Sequence, residues 1–403
     1  MSTTTTAVEA AEAVRAALEV DPPKDVVQSH LHPTPSYDLA DHPMPLGREE
    51  IWRFTPLKRL AGLLDDQPSD GHLSWTTHLP AGVTLTEISA AEAVALGEVL
   101  PSDRPAALAV AHGGGAMLLD IPAEAELDEA IRVELHGDDP DTLVWGHLVV
   151  RVGAQARATV VFEHTGSVRY SATTSVLVGD GAQLVMASLY DWADDTAHVG
   201  QVGVRVGRDA HVRIAEVTFG GDIVRTSTNV DYTGPGGEAE VLGLYFADAG
   251  QHIEHRLFVD HTAPKTRSHV VYKGALQGEK AHTVWVGNVL IRKIAEGIET
   301  YEENRNLVLT DGCQSDSVPN LEIETGEIAG AGHASATGRF DDEQLFYLRS
   351  RGISEVEARR LVVYGFFNDL IRRIDVPAIE AQLHSAVEAE LAATMGSLIG
   401  VDA

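Results

Sequence analysis

Between about residues 105 and 335 the chain alternates short apolar runs with glycine-bearing turns. The runs Leu143 to Val152, Ala158 to Phe162, Ser175 to Val178, Leu184 to Leu189, Val202 to Val206 and Val212 to Phe219 read as short strands bounded by turn residues. The turns share one form: Val152-Gly153-Ala154-Gln155-Ala156, Val178-Gly179-Asp180-Gly181-Ala182, Val206-Gly207-Arg208-Asp209-Ala210 and Thr233-Gly234-Pro235-Gly236-Gly237. Their leading glycines, 153, 179, 207 and 234, stand 26, 28 and 27 residues apart. A repeated strand–turn–strand unit of this length predicts a solenoid, because one unit cannot bury its own apolar face and must stack on the next. Glycine is expected where such a turn needs positive φ. A β-sandwich with glycine turns is the alternative, since four copies make a short series.

The flanks have a different texture. Ala7 to Leu18 is Ala/Glu-rich and predicts a helix. Asp21 to Pro45 is rich in Pro and His and reads as irregular chain. Arg48 to Leu57 reads as a short helical piece ended by Pro56, and Ala90 to Leu96 as another helix. Near Asp341 the pattern becomes helical for good. Asp341 is placed as a cap with Gln344 three residues on, Gly352 stops that helix, and Ser354 to Glu357 is a capping box for the next. That helix carries Val363, Phe366, Phe367, Leu370, Ile371 and Ile374 on one stripe. Leu361 and Tyr364 lie off the stripe, and Pro377 separates a final helix over Ala378 to Leu398. Arg349, Arg351, Arg359, Arg360, Arg372 and Arg373 place six of the chain's 30 basic residues in this part. The expected organisation is a helical and irregular region over 1–104, a β core over 105–338 and a helical domain over 339–403.

Composition narrows the function classes. The 403 residues carry 30 Lys+Arg against 60 Asp+Glu, a formal charge of −30. Such a balance repels phosphate backbones and anionic lipid, so neither nucleic acid nor membrane is expected as a partner. No apolar run reaches the ~18 residues of a membrane span, and Met1 to Val8 has no basic start or apolar stretch. A cytoplasmic location is therefore expected. Cys313 is the only cysteine, which excludes an intrachain disulfide and a cysteine-rich metal site.

No Walker A, GxGxxG-to-helix or nucleophile-elbow pattern is present, so no free-standing ATPase, dehydrogenase or hydrolase is indicated. Four of the 18 histidines, His252, His255, His261 and His269, cluster within 18 residues. In a strand, His252 and His255 point to opposite faces, which favours structural or surface roles. A sharper constellation follows: Cys313 after the turn Thr310-Asp311-Gly312, Glu322 and Glu324 on one face, and His333 in Gly332-His333-Ala334. The 20-residue gap from Cys313 to His333 is close to one repeat, so a solenoid could bring them together. Thiolate, imidazole and carboxylate suit sulfur and iron. A buried Cys and a surface His is the plainer reading.

The residues around this constellation resemble a family. Asn304 to Leu309, Pro319, Leu321-Glu322-Ile323, Gly332 to Gly338, Asp342 to Ile353 and Glu357 to Leu361 are similar to the C-terminal core of SufB and SufD proteins. His261, Pro264, Ser268 and Tyr272-Lys273-Gly274 agree, and Glu50-Trp52-Arg53-Phe54-Thr55 resembles the N-terminal element of SufD. The resemblance implies a mainly β fold, a right-handed parallel β-helix between an N-terminal region and C-terminal helices. It implies a non-catalytic scaffold subunit of the SufBCD complex, which builds transient iron–sulfur clusters from iron and delivered sulfur. The implied partners are a SufB-like subunit through the β-helix and a SufC-like ATPase through the C-terminal helices. Leu361, Tyr364, Arg359 and Arg360 are the expected ATPase contacts, and some such complexes bind reduced FAD. His333 falls where SufD subunits carry an interface histidine, and Cys313 and Glu322 are its expected helpers. A single cysteine points to the SufD side of the family. One departure is Ala331, where some SufD proteins carry a cysteine; Cys313 stands where SufB carries its essential one. Outside the family, the alternatives are a β-helix carbohydrate-active enzyme and a generic metal-binding scaffold.

Overall fold

The structure is a computed structural model describing residues 34–340 and 342–399. The helix expected over Ala7 to Leu18 and the cap at Asp341 lie outside the described residues. Before the solenoid come β1 (Ser74–His78), β2 (Thr84–Ile88), α1 (Ala90–Ala95), α2 (Arg104–His112) and β3 (Ala116–Ile121). The chain then runs through two 22-residue strands, β4 (Ile131–Val152) and β5 (Arg157–Val178). Eleven ten-residue strands follow: β6 (Gln183–Trp192), β7 (Ala197–Val206), β8 (His211–Gly220), β9 (Ile223–Tyr232), β10 (Glu238–Ala247), β11 (His252–His261), β12 (Arg267–Leu276), β13 (His282–Ile291), β14 (Glu299–Val308), β15 (Gln314–Ile323) and β16 (Gly330–Arg339). The chain closes with α3 (Asp342–Ser350), α4 (Glu355–Ile374) and α5 (Pro377–Ile399).

From β5 onward every pairing is parallel. The even strands β6 to β16 form one wall and the odd strands β7 to β15 the other. This is the predicted parallel β-helix. β5 serves both walls: its first half pairs with β6 and its second with β7. The runs Ala158 to Phe162 and Ser175 to Val178 are thus two halves of one strand, bent near Gly166, where φ is 82°. Residues 104–112, expected at the start of the β core, are helical instead. Asp103 caps them by accepting from the Ala106 N–H, and Pro105 sits in the first turn.

The four glycine turns stack on one edge. The N–H groups of Gly179, Gly207 and Thr233 donate to the carbonyls of Val152, Val178 and Val206, one coil back each time. The leading glycines do not carry the positive φ that the sequence suggested. That conformation falls two residues later, at Gln155, Gly181, Asp209 and Gly236. The leading glycines are required by close approach: a Cβ at Gly207 would lie 2.7 Å from the Gly179 carbonyl carbon, and one at Gly179 would lie 2.6 Å from the Ala154 nitrogen.

Two coverings clamp the solenoid. On the outer side of the odd wall, Trp52, Leu60 and Leu63 pack against Ala197, Val199 and Ile223. Arg225 lies over the Trp52 ring, at 4.0 Å, and pairs with Asp103 at 2.9 Å. The segment Arg48 to Leu57 holds this place as successive turns, with a 3₁₀ helix (Leu57–Leu60) beginning after Pro56, rather than as the expected helix. On the even wall, Val363, Phe367, Leu370, Ile371 and Ile374 of α4 bury against Val217, Phe219, Leu242, Leu244 and Phe246. Each such side chain contributes about 1.5–3 kcal/mol on full burial. Lys273 fixes the helix from below, donating to the Phe366 carbonyl at 3.0 Å and pairing with Asp369. Neither covering closes the end of the stack. β15 and β16 each have one strand neighbour, and most of their residues are half-buried or exposed.

Candidate functional site

Inside the solenoid the alternation of side chains decides what faces what. On β14, Thr300, Glu302, Asn304 and Asn306 point into the interior and are buried. The register sets Glu302 beside His333 on β16, Asn304 beside Ser335 and Thr300 beside Ala331. His333 therefore faces inward at the open coil, yet its side chain keeps 43% of its surface exposed. Behind it runs a buried polar network. Asn304 donates to the Tyr245 hydroxyl at 2.8 Å, and that hydroxyl donates to Asn306 at 2.7 Å. Tyr272 donates to Glu216 at 2.5 Å, and His255 sits between Thr226 at 2.8 Å and Thr218 at 3.2 Å.

Glu302 is the exception in this network. Its side chain is 1% exposed, and neither carboxyl oxygen has a side-chain hydrogen-bond partner among the described residues; only the Asn320 backbone N–H acts on it, without well-formed geometry. The His333 imidazole lies beside it, with Nδ1 3.8 Å from Oε1. Burial pushes its carboxyl up to about 8, although the Asn320 backbone N–H works in the opposite direction. Space for the carboxylate comes from Gly287 on the facing wall, where any Cβ would collide with Oε2.

The other expected residues are spread around the same coil. Cys313 is half-buried in the turn leading into β15, where its Sγ donates to the Gly278 carbonyl at 3.3 Å. Gly312, at φ 86°, sets up that turn. Ser335 meets Ser317 across the interior at 2.8 Å. Cys313 lies four residues from Ser317 toward one edge, and His333 two residues from Ser335 toward the other. Six residues of strand separate them by about 20 Å. The single-coil adjacency considered for these two side chains is therefore not formed within this chain. Glu322 pairs in register with Leu290, while the interior-facing positions of β15 are Ser317 and Leu321. It points to the outer side of the wall, away from His333. Among the described residues no three His, Cys, Asp or Glu side chains converge as a metal site.

The histidine cluster obeys the strand rule. His255 and His261 face inward, whereas His252 pairs outward with Glu254 at 3.3 Å. On the C-terminal helices, Leu361 is 45% exposed and Phe346 is 74% exposed. Arg360 pairs with Glu357 and Glu388, and Arg359 reaches the Leu309 carbonyl at 3.4 Å. Tyr364 stacks on His384 of α5, with ring centroids 5.1 Å apart. Reading the residues in order missed Glu302, which sits in Tyr301-Glu302-Glu303-Asn304 and looks like a solvated acidic pair. The signal that could have found it is the alternation Thr300, Glu302, Asn304, Asn306, a polar line at the period of one strand face.

Fold and site together define a parallel β-solenoid whose open last coil presents an imidazole beside a buried carboxyl that no side chain hydrogen-bonds. Residues 135–366 match the SUF system FeS cluster assembly, SufBD core domain. The chain is 50% identical over 367 residues to an iron-sulfur cluster assembly SufBD family protein of Mycobacterium bovis, covering 89% of this chain and 92% of that protein. It is 49% identical over 367 residues to one of Mycobacterium leprae, covering 89% and 93%. It is 24% identical over 290 residues to the iron-sulfur cluster assembly protein SufD of Bacillus subtilis, covering 70% and 65%. The chain belongs to the SufBD family of iron–sulfur cluster assembly proteins. No helix among the described residues is long and apolar enough to cross a membrane.

Proposed function

We propose that this chain is the SufD-type, non-catalytic subunit of a cytoplasmic SUF scaffold, and that its open coil is where it meets a SufB-like subunit. The observation that carries this reading is the end of the solenoid. His333 is half-exposed there on a strand with a free edge, flanked by the small residues Ala331, Gly332 and Ala334, which let a partner approach closely. Neutral imidazole is a suitable iron ligand, so His333 holds iron or a nascent cluster as cargo at that contact. Cys313, about 20 Å away along the strand, and Glu322, on the outer side, act in this reading only through the partner's surface and not by sharing a ligand sphere with His333.

The C-terminal helices carry the second contact, with a SufC-like ATPase. Leu361 and Phe346 are the exposed apolar anchors that support it, and Arg359 and Arg360 border Leu361 on the same helix. Tyr364 supports the surface from behind through its stack on α5. Reduced FAD belongs to the assembled complex in this reading, and no residue of this chain is assigned to it. Co-purification with SufB-like and SufC-like proteins from the same cells tests the assignment. His333→Ala should leave the complex intact and lower its cluster content. Normal cluster content in an intact complex would end the ligand role, and loss of the complex itself would make His333 a packing residue.

A further inference from the structure

We infer that Glu302 and His333 together form a two-donor half-site for a divalent transition-metal ion of the Fe²⁺ type. This rests on the reading of the open coil as the place where iron is handled, and it adds a second ligand from this chain. Three features of the structure support it. First, the pair is held in register on adjacent parallel strands with both side chains on the interior face, so backbone geometry fixes their separation. Second, the 3.8 Å between Nδ1 and Oε1 is too long for a hydrogen bond. It is close to the ~3.4 Å that separates two donors on a tetrahedral ion with bonds of ~2.1 Å. Third, a carboxyl as buried as that of Glu302, with no side-chain partner for either oxygen and only the Asn320 backbone N–H acting on it, is unusual, because buried polar groups are normally fully hydrogen-bonded or coordinate metals.

The space that the carboxylate occupies depends on a glycine. Gly287 faces Glu302 from the opposite wall, and any larger residue there would collide with its oxygen. Exposure orders the two donors: His333 is part-exposed, while Glu302 is buried beside it. A cation arriving at the end of the coil meets the imidazole first and the carboxylate second. Two protein donors leave the remaining coordination positions free, as a site that passes its ion on requires.

The test uses the full chain without partners and Co²⁺ as the probe, measured anaerobically by visible absorption and equilibrium dialysis. The expected result is one bound Co²⁺ with an absorption band showing nitrogen and oxygen ligation. Glu302→Gln keeps the shape of the side chain but removes the anionic donor. It should weaken binding at least about 10-fold, the lower end of what losing even an outer-shell partner costs, and so should His333→Ala. The double variant should lose little more than either single one, because both act on one ion. Melting temperatures identify variants that do not fold. If Glu302→Gln is one of them, Glu302→Asp, which retracts the carboxylate but keeps its charge, takes its place and should also bind more weakly. Unchanged Co²⁺ affinity in the Glu302 variant, or no binding to the wild-type chain, overturns the inference. Either result leaves the co-purification test of the scaffold reading untouched, and failure of co-purification leaves the Co²⁺ measurement standing.

Discussion

Lowering the pH should attack this solenoid from inside, and His255 allows the effect to be isolated. Its ring lies wholly in the interior between two threonine hydroxyls, and burial pulls its pKa down to about 3. The unfolded chain protonates the same ring at about 6.5. The folded pKa is thus depressed, so the folded state binds no proton where the unfolded state binds one. The contribution of His255 to stability is complete above about pH 6.5 and is lost as the pH falls toward 3. Between pH 7 and pH 5 the loss is on the order of 2 kcal/mol, and by pH 4 on the order of 3 kcal/mol. His164 and His261, each lowered to about 4 by burial, act in the same direction. Glu302 opposes them, because its raised pKa makes the folded state the tighter proton binder between about 4.5 and 8. The clean measurement is therefore a difference. Urea unfolding of the wild type and of His255→Gln at pH 7, 6 and 5 cancels the other groups. The variant should be less stable at pH 7 and should close on the wild type by about 2 kcal/mol at pH 5. If the two stay parallel across that range, His255 titrates in the folded protein as it does in the unfolded one, and burial does not depress its pKa.

Three further outcomes follow from packing and exposure. Gly207→Val should cost about 1–3 kcal/mol, read as a lower melting temperature, because its Cβ would press on the Gly179 backbone; Gly326→Ala, with nothing near its added carbon, should stay within about 0.5 kcal/mol. Phe367→Ala removes the buried centre of α4 and should cost about 3–5 kcal/mol, with faster proteolysis after β16 than within the coils. Leu361→Asp paired with Phe346→Asp should abolish binding of a SufC-like ATPase while leaving the melting temperature unchanged; retained affinity would remove these anchors from the proposed contact.

The solenoid could be read from the sequence because close backbone approach at each turn demands glycine at a fixed place. The same physics explains where the reading stopped. Past Gly236 the equivalent left-handed positions are Lys265 and Gly297, 29 and 32 residues on, and the turns between strands lengthen. A local pattern gives no sign that these later turns belong to the same edge. The apolar stripe of α4 was visible because a helix facing a wall must repeat at 3.6 residues, and five of its six members are fully buried. The site itself was half legible. His333 stood out by resemblance, but Glu302 becomes a buried acid only once β14 and β16 are in register, a pairing across 31 residues. The distance between Cys313 and His333 also depends on which strand each occupies, which spacing along the chain does not reveal.

The free edges of β15 and β16 have an energetic consequence. A solenoid is a one-dimensional stack in which each coil draws its stability from the coil on either side. The final coil has one such neighbour, so it opens at lower free energy than the coils clamped between Trp52 and Phe367. Amide hydrogen exchange should therefore run as a gradient along the axis, slowest around β8 to β12 and fastest at β16. The strand that carries His333 is the one that frays first, and any surface seated against it supplies the missing neighbour. Docking at this end is then a folding event as much as a binding one, and its signature is the loss of that gradient.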